Sequence, residues 1–140
     1  MKENISNERA IENLMVSYAY ANDDADIKQL GQLFKDATFK LDAVTAIGSD
    51  EIEAIAITMI EVMPNGRSST THELTNIIIA IDVKAGTATG NAYWTLYKTI
   101  PGTPRMAVLS GRYHDAFILK DGQWYFKERN ATILWKLTTS

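Results

Sequence analysis

His72 is the side chain of this sequence best suited to moving a proton. It lies near the start of a segment rich in β-branched residues, where alternation puts it on one face with Leu74, Asn76 and Ile78. That face is mainly apolar, so we expect it to point inward. Because histidine changes its charge nearest to neutral pH, an inward imidazole could act as a general base. The alternative is a core histidine hydrogen-bonded to a backbone carbonyl, and the spacing alone favours that alternative.

Three acids, Asp23, Asp24 and Asp26, follow the first predicted helix. A carboxylate at this point could orient an imidazole and stabilise its charged form, as the aspartate of a catalytic triad does. Aspartate is also favoured wherever a helix stops and a turn begins, which gives Asp23 a purely structural explanation. Composition does not select among the three acids.

Tyr18 and Arg129 carry donors that suit a developing anion. A phenol can donate a hydrogen bond to a carbonyl or leaving oxygen, and a guanidinium can stabilise negative charge. Tyr18 falls on the apolar stripe of its helix, so it could equally be a core residue. Arg129 alternates with Tyr125 and Lys127, a pattern typical of a solvated strand face.

Other conspicuous residues have ordinary explanations. Alternation separates the polar residues of segment 111–115 onto two faces, and we expect His114 to lie outward or at an edge. The aromatic residues Trp94 and Tyr97 are typical of a core or a pocket wall. The sequence has no glycine-rich phosphate loop and no Gly-x-Ser-x-Gly elbow.

Hydrophobic periodicity predicts helices first and strands afterwards. We expect three helices, the first capped by Ser6 or Asn7, over 8–22, 27–34 and 50–62. A brief strand is predicted over 37–41. Four longer strands follow, with a hairpin turn at Lys120-Asp121-Gly122, over 70–82, 87–100, 105–119 and 123–134.

This order predicts an α+β fold in a single domain spanning 1–140. A long, curved antiparallel sheet with helices across its open face would enclose a cavity between the two layers. Its walls would come from one side of each strand and from the apolar faces of the helices.

Composition excludes several classes of protein. The 140 residues include no cysteine and only two histidines, so a disulfide framework is excluded and we expect no metal site. The net charge of −3 has no basic patch behind it, which argues against nucleic acid as a partner. The polar N-terminus and the absence of a long apolar run predict neither a signal peptide nor a membrane segment, so we expect a cytoplasmic protein.

The landmarks also occur in an order that is similar to a known family. The family is the SnoaL-like branch of the cone-shaped nuclear-transport-factor-2-like (cystatin-like) superfamily. The N-terminal part of the chain resembles the N-terminal part of that branch at Ile11, Leu14, Tyr18, Ala19, Asp23, Asp26, Leu30, Leu33, Phe34, Asp36 and Ala37. Thr71, His72 and Asn76 resemble the entry to its first long strand. Its closing hairpin resembles the segments Gly111–Asp115, Asp121–Trp124 and Glu128–Asn130. The resemblance covers residues 8–135.

The resemblance implies a site as well as a fold. Scytalone dehydratases, hexachlorocyclohexane dehydrochlorinases and bile-acid dehydratases use an aspartate–histidine dyad without a metal or organic cofactor, and their dyad maps onto Asp23 and His72. The arginine of the last strand maps onto Arg129. Tyr18 matches the bile-acid dehydratases, whereas the dehydrochlorinases have a lysine there. The second cavity histidine of scytalone dehydratase is missing from segment 93–98.

The function implied is a cofactor-independent, dehydratase-like lyase acting on a small apolar cyclic substrate. His72, Asp23, Tyr18 and Arg129 would form the catalytic set. We expect the substrate to contact pocket residues contributed by helices and strands, namely Phe34, Met59, Trp94 and Tyr97. The alternatives are an isomerase or polyketide cyclase with the same base, and a non-catalytic binding domain whose cavity is filled by Met59, Met63 or Trp94.

Apolar residues are concentrated late in the chain, at Ile133, Leu134, Trp135 and Leu137. They exceed what a terminal strand needs and predict a homo-oligomer. Family members with this dyad are often trimers, so we expect a homodimer or homotrimer.

Overall fold

A computed structural model describes residues 5–138 and contains three helices and six strands in this part of the chain. The helices are α1 (Asn7–Asp23), α2 (Ile27–Leu33) and α3 (Gly48–Met59). The strands are β1 (Thr38–Leu41), β2 (Val44–Ile47), β3 (Thr70–Asp82), β4 (Thr87–Lys98), β5 (Met106–Lys120) and β6 (Gln123–Lys136). None of the helices described is long and apolar enough to cross a membrane.

The six strands form one curved, unclosed sheet in the order β2-β1-β6-β5-β4-β3. Strands β3 to β6 pair antiparallel in chain order, as predicted, whereas β1 lies parallel to β6. Helix α1 packs against β3, β4 and β6, and α3 packs against α2 and β2. The predicted α+β architecture, with helices covering one face of a curved sheet, is confirmed.

Local sequence signals account for most element boundaries. Ser6 caps α1, and its side chain accepts a hydrogen bond from the Arg9 backbone N–H at 3.1 Å. The turn between β5 and β6 has positive φ at Asp121 and Gly122, which is the conformation of a tight hairpin. The sequence did not predict β2, because it is four residues long and follows a two-residue turn with only Asp42 to mark it.

The third helix is shorter than the sequence predicts. Periodicity extended it to residue 62, but α3 ends at Met59 and Ile60 is extended. Val62 then forms an isolated bridge with Ser68, so this stretch pairs with the loop before β3. The pairing overrides the helical tendency of the apolar residues.

A bulge in β3 changes which residues face the helices. The pairing with β4 shifts between Thr75 and Ile78, and Asn76 has a φ of 56°. His72 and Leu74 face inward as alternation predicts, but Ile78 is 69% exposed. Its neighbours Ile77 and Ile79 pack against the core instead. The predicted inward face is therefore correct only up to Leu74.

A second bulge, in β6, moves Arg129 to the face opposite the one that alternation predicts. Ala116 of β5 pairs with Glu128 and Phe117 pairs with Phe126, which leaves Lys127 as the extra residue. Arg129 is therefore turned inward and is 0% exposed. The solvated position that simple alternation favoured is wrong.

The core and the cavity lie at opposite ends of the sheet. Near the β5–β6 turn the interior is filled by large side chains, including Met15, Phe34, Phe117 and Phe126. Gly90 makes room for this packing, because a Cβ there would lie 2.8 Å from the Met15 sulfur. Toward the other end of β4 and β5 the filling stops, and a cavity remains.

Candidate active site

The cavity has a volume of about 100 Å³ and is lined mainly by apolar and aromatic side chains. It is formed by residues from the start of β3, the second half of β4 and the first half of β5, together with residues of β1 and β6 and of the ends of α1 and α3. Its lining residues include Tyr18, Asn22, Phe39, Met59, Thr70, His72, Trp94, Leu96, Tyr113 and Ala131. A smaller cavity of about 40 Å³, between the helices, shares Tyr18, Asn22, Phe39, Met59 and Ile60 with it.

His72 and Asp23 are in direct contact at the wall of this cavity. The His72 Nδ1 atom lies 2.8 Å from Asp23 Oδ1, and the His72 backbone N–H donates to Asp23 Oδ2 at 2.9 Å. The two side chains are only 9% and 12% exposed. The predicted contact between these two residues, 49 positions apart, is present.

Backbone contacts hold the two ends of this pair together. Asp23 is the last residue of α1, and its carbonyl accepts a hydrogen bond from the Ser68 N–H at 3.0 Å. Ser69 in turn donates to the Glu61 carbonyl, and its own carbonyl accepts from Thr99. The start of β3 is therefore fixed against the end of α1 before any side chain is considered.

The three acids after α1 have three different environments. Asp23 meets His72, whereas Asp24 pairs with Arg67 at 2.7 Å on the surface. Asp26 caps α2 and accepts a hydrogen bond from the Gln29 N–H at 3.1 Å. Of the three acids, Asp23 is the one that contacts a residue of the cavity wall, which resolves the choice that composition left open.

Tyr18 lies one helical turn before Asn22 and lines the same cavity. Its ring packs edge-on against His72, with 5.7 Å between the ring centroids. Burial raises the pKa of Tyr18 to about 12, although the positive charge of Arg129 and a hydrogen bond with Asn22 act in the opposite direction. Its hydroxyl is therefore protonated at neutral pH and available as a donor.

Arg129 lies behind the cavity wall and not on its surface. Its Nε and Nη2 atoms donate to the two carboxylate oxygens of Asp115 at 2.9 and 2.8 Å, and Nη2 also reaches the Met15 carbonyl. Its Cζ atom stacks 3.7 Å from the centre of the Tyr113 ring and 5.0 Å from that of Tyr18. Burial alone would lower the pKa of Arg129, but the charge and hydrogen bonds of Asp115, together with Tyr113 and Tyr18, outweigh it and the pKa is raised.

Two of the four predicted substrate contacts line the cavity. Met59 and Trp94 do so, whereas Phe34 is fully buried in the core and stacks on Phe126 at 4.9 Å. Tyr97 faces the outer side of the sheet, where the Arg105 guanidinium lies 3.8 Å from its ring centre. The reason is alternation: Trp94 and Leu96 point into the cavity, so Tyr97 points away from it.

Comparison with known proteins identifies the family. The model of the SnoaL-like domain matches residues 3–130 of the sequence. The chain belongs to the SnoaL-like domain family. No curated protein matches the sequence significantly.

Several solved structures are similar to nearly the whole chain. A Nostoc punctiforme protein of unknown function with a cystatin-like fold is 18% identical, with a TM-score of 0.79 and 96% of both chains covered. A candidate scytalone dehydratase from Novosphingobium aromaticivorans is 25% identical, with a TM-score of 0.72 and coverage of 95% and 87%. A type 2 hexachlorocyclohexane dehydrochlorinase is 17% identical, with a TM-score of 0.76 and coverage of 95% and 88%.

The candidate site also contains residues that the sequence did not suggest. Tyr113 lines the cavity, stacks on Trp94, and covers the Arg129 guanidinium. Asp115 is buried and holds that guanidinium in place, and Asn22 lies beside the Tyr18 hydroxyl. Segment 111–115 divides between two faces as predicted, with His114 exposed and bonded to Asn91. Within that segment, the residues that belong to the site are those on the buried face, Tyr113 and Asp115.

No three histidine, aspartate or glutamate side chains within residues 5–138 lie close enough together to hold a metal ion.

Proposed function

We propose that this protein is a dehydratase-like lyase that removes a proton from a small cyclic ketone and expels a hydroxide. The observation that carries the proposal is the buried contact between His72 Nδ1 and Asp23 Oδ1 beside an apolar cavity. The presence of a candidate scytalone dehydratase among the similar structures supports the same class of chemistry.

The dyad sets the protonation of the imidazole. An ionised carboxylate can only accept hydrogen bonds, so Nδ1 must carry the proton that bridges to Asp23. In the neutral ring Nε2 is then left with its lone pair free, and no residue among those described donates a hydrogen bond to it. Nε2 is therefore the atom that takes up the substrate proton.

The reaction proceeds in balanced steps. Nε2 removes a proton from the carbon beside the carbonyl, and the electron pair of that C–H bond moves onto the carbonyl oxygen. The electron pair then returns from the oxygen, and a C=C bond forms between the deprotonated carbon and its neighbour as the C–O bond from that neighbour to the leaving hydroxyl breaks. The hydroxide leaves as water with the proton that His72 carried. Asp23 stabilises the imidazolium between these steps.

Tyr18 and Arg129 would provide the positive end of the site. The Tyr18 hydroxyl is protonated at neutral pH, and burial raises its pKa further to about 12, so it can donate to the oxyanion or to the departing hydroxide. Arg129 acts from behind the ring of Tyr113, as a fixed charge rather than a direct ligand. Its Nη1 atom is buried and has no hydrogen-bond acceptor among the described residues.

The size of the cavity restricts the substrate. An engineered cavity of about 150 Å³ in another protein accommodates benzene. A cavity of about 100 Å³, with a further 40 Å³ beside it, therefore suits one six-membered ring. A fused ring system would require Met59 and Ile60, at the end of α3, to move aside.

Two other functions use the same residues. An isomerase or an aldol-type cyclase would need the same base, but the proton would return to carbon and no water would be lost. A non-catalytic binding domain would use only the apolar walls. An open cavity with His72 bonded to Asp23 favours an enzyme over that binding domain.

The test uses 3-hydroxycyclohexanone, whose dehydration to cyclohexenone creates a conjugated chromophore. We expect the protein to accelerate the rise in ultraviolet absorbance, and His72→Ala to abolish the acceleration while still binding cyclohexanone. Deuterium uptake into cyclohexanone from D₂O measures proton removal by itself. Deuterium uptake without dehydration would support the isomerase or cyclase. If the protein shows neither deuterium uptake nor dehydration, the non-catalytic binding domain is the function that remains. Val83→Thr, a change at an exposed position in the β3–β4 turn, is the matched control.

A further inference from the structure

A small apolar cavity lies between the helices, beside the cavity that His72 borders. Its volume is about 40 Å³. The two cavities share wall residues, namely Tyr18, Asn22, Phe39, Met59 and Ile60. The described residues that border only the smaller cavity are all aliphatic, namely Leu30, Ile52, Ile55 and Ala56. A polar group placed against these side chains would lose its hydrogen bonds to water without replacement, so the space suits a hydrocarbon group.

The small side chain of Ala56 leaves this space open. Ala56 is 8% exposed and lies on α3 one turn after Ile52, which is also buried. Leu30 of the neighbouring helix α2 closes the cavity on another side. A side chain larger than a methyl group at position 56 would occupy the cavity.

Contacts between α2 and α3 fix the walls of the smaller cavity. The Ser49 hydroxyl, at the start of α3, donates to the Gly31 carbonyl at 2.8 Å. A Cβ at Gly31 would lie 2.5 Å from Glu53 Oε2, so the two helices are already in close contact about one turn before Ala56. The cavity is therefore preformed, and a group that enters it does not have to order the helices first.

We propose that the smaller cavity is a subsite for a short alkyl branch on the ring that binds beside His72. The ligand class is therefore an alkyl-substituted cyclic ketone. In another protein an engineered cavity of about 150 Å³ holds benzene, which corresponds to about 25 Å³ for each carbon. At that ratio the volume of about 40 Å³ holds a branch of about one or two carbons. The inference deepens the proposed function, on which the choice of a ring ketone rests.

Met59 is the most exposed residue of the wall that the two cavities share. Its side chain is 55% exposed, unbranched and flexible, so it can turn toward solvent without leaving a buried void. Phe39 is buried and stacks on Tyr18 with 5.6 Å between the ring centroids, so that part of the wall is rigid. We expect the branch to enter past Met59, with no movement of a helix.

The experiment compares cyclohexanone with 3-ethylcyclohexanone and 4-ethylcyclohexanone. Each is titrated into ¹⁵N-labelled protein, and dissociation constants are obtained from the shifts of the amide signals. We expect one of the ethyl compounds to bind at least about fourfold more tightly than cyclohexanone, the usual effect of one buried CH₂ group. Ala56→Val fills the smaller cavity and should lose this preference while binding cyclohexanone as the parent does. Ala54→Val makes the same change at an exposed position of α3 and should keep the preference.

A second variant tests the subsite in the opposite direction. Ile52→Val removes one carbon from the wall of the smaller cavity and should lengthen the best-bound branch from ethyl to propyl. His72→Ala should keep the parental preference for the ethyl compound, because the branch does not contact the base.

These binding measurements need no turnover, so they separate the subsite from the proposed function. A preference for the ethyl ring in a protein without deuterium uptake or dehydration would uphold the subsite and reject the lyase. A lyase that binds the three ketones equally would reject the subsite alone. A preference that survives Ala56→Val, or no binding of any of these ketones, would also overturn the subsite.

Discussion

Asp23 performs two tasks with its two carboxylate oxygens. Oδ2 accepts the backbone N–H of His72 and Oδ1 meets the imidazole Nδ1 of the same residue. Because a backbone N–H can only donate, the first bond fixes the orientation of the carboxylate, and the second then fixes the orientation of the ring. The position of the His72 imidazole is thus controlled by one acid at the end of a helix.

Replacing Asp23 with Asn is expected to block the base without unfolding the protein. The amide oxygen must stay with the His72 backbone N–H, so the amide NH₂ would face Nδ1 and force it to become an acceptor. Nε2 would then carry the proton and could not remove another one. By analogy with catalytic triads, the loss in turnover should be on the order of 10⁴-fold.

The rate of cyclohexanone deuteration and the circular dichroism spectrum measure these two effects separately. Asp24→Asn, which breaks only a surface ion pair with Arg67, is the matched control and should deuterate at the parental rate. An Asp23→Asn protein with full activity would show that the carboxylate does not orient the base.

Tyr18 should make folding sensitive to alkaline pH. Burial raises the pKa of Tyr18 in the folded protein from 10.0 to about 12, so the folded state holds this proton more tightly than the unfolded state does. The contribution of Tyr18 to the free energy of unfolding is therefore complete below pH 10 and is lost as the pH rises toward 12. At pH 11 the loss should be about 1.4 kcal/mol, one unit of differential protonation.

Urea unfolding at pH 8 and pH 11 measures this difference. Tyr18→Phe should lose less free energy of unfolding between the two pH values than the parent protein, by that amount. Tyr125→Phe removes an exposed hydroxyl, and its free energy of unfolding should decrease between pH 8 and pH 11 by as much as that of the parent. The buried Tyr113, whose pKa burial raises well above its usual value, should behave like Tyr18. Identical losses in Tyr18→Phe and Tyr125→Phe would contradict the prediction.

At the scale of the elements, two bulges decide which side chains reach the interior. The bulge at Asn76 ends the cavity-facing run of β3 after Leu74 and returns Ile77 and Ile79 to the core. The bulge at Lys127 turns Arg129 inward, toward Asp115. A one-residue insertion moves every later side chain to the opposite face, so each bulge separates a site segment from a core segment within one strand.

Asn76 should tolerate glycine but not a β-branched residue. Its φ of 56° lies in the left-handed region, which glycine and asparagine adopt readily and valine does not. Asn76→Val should therefore reduce the free energy of unfolding by about 1–3 kcal/mol. Asn76→Gly should change it by less than about 0.5 kcal/mol.

Denaturant titration of both variants provides the measurement. Thr75→Val introduces the same side chain at the preceding exposed position, where φ is not positive, and should leave stability within about 0.5 kcal/mol of the parent. A stable Asn76→Val protein would mean that β3 can pair without the bulge, with Ile78 rather than Ile77 facing inward.

At the scale of the whole molecule, apolar side chains remain exposed near the C-terminal end of β6. Leu134, Trp135 and Leu137 are 62%, 45% and 36% exposed, and Leu134 is the extra residue of a further bulge in the pairing with β5. Exposed apolar residues grouped in this way are typical of an interface. We therefore expect a homodimer or homotrimer through this segment or the outer face of the sheet.

Sedimentation velocity at micromolar concentration tests this expectation. The parent should sediment as a dimer or trimer, and Leu134→Asp should shift the distribution toward the monomer. Ile57→Asp, at an exposed position on α3, should not change it. A parent protein that sediments as a monomer would reject the oligomer, without affecting the assignments inside the cavity.

The order of the helices and of the strands other than β2, a cap at Ser6 or Asn7 and the β5–β6 turn were readable from the sequence, because each depends on residues close together in the chain. The inward position of His72 was readable for the same reason, since no bulge precedes it in β3. The burial of Arg129 depended on strand register, and the contact that distinguishes Asp23 from Asp24 and Asp26 joins segments distant in the chain. The outward direction of Tyr97 follows from alternation with Trp94 and Leu96, so it was readable from the sequence although Tyr97 was assigned to the pocket. Periodicity carries no record of an inserted residue, so only the tertiary structure decided which face each later side chain occupies. It also decided the size of the cavity, because that volume is what remains after Met15, Phe34, Phe117 and Phe126 have packed at the other end of the sheet.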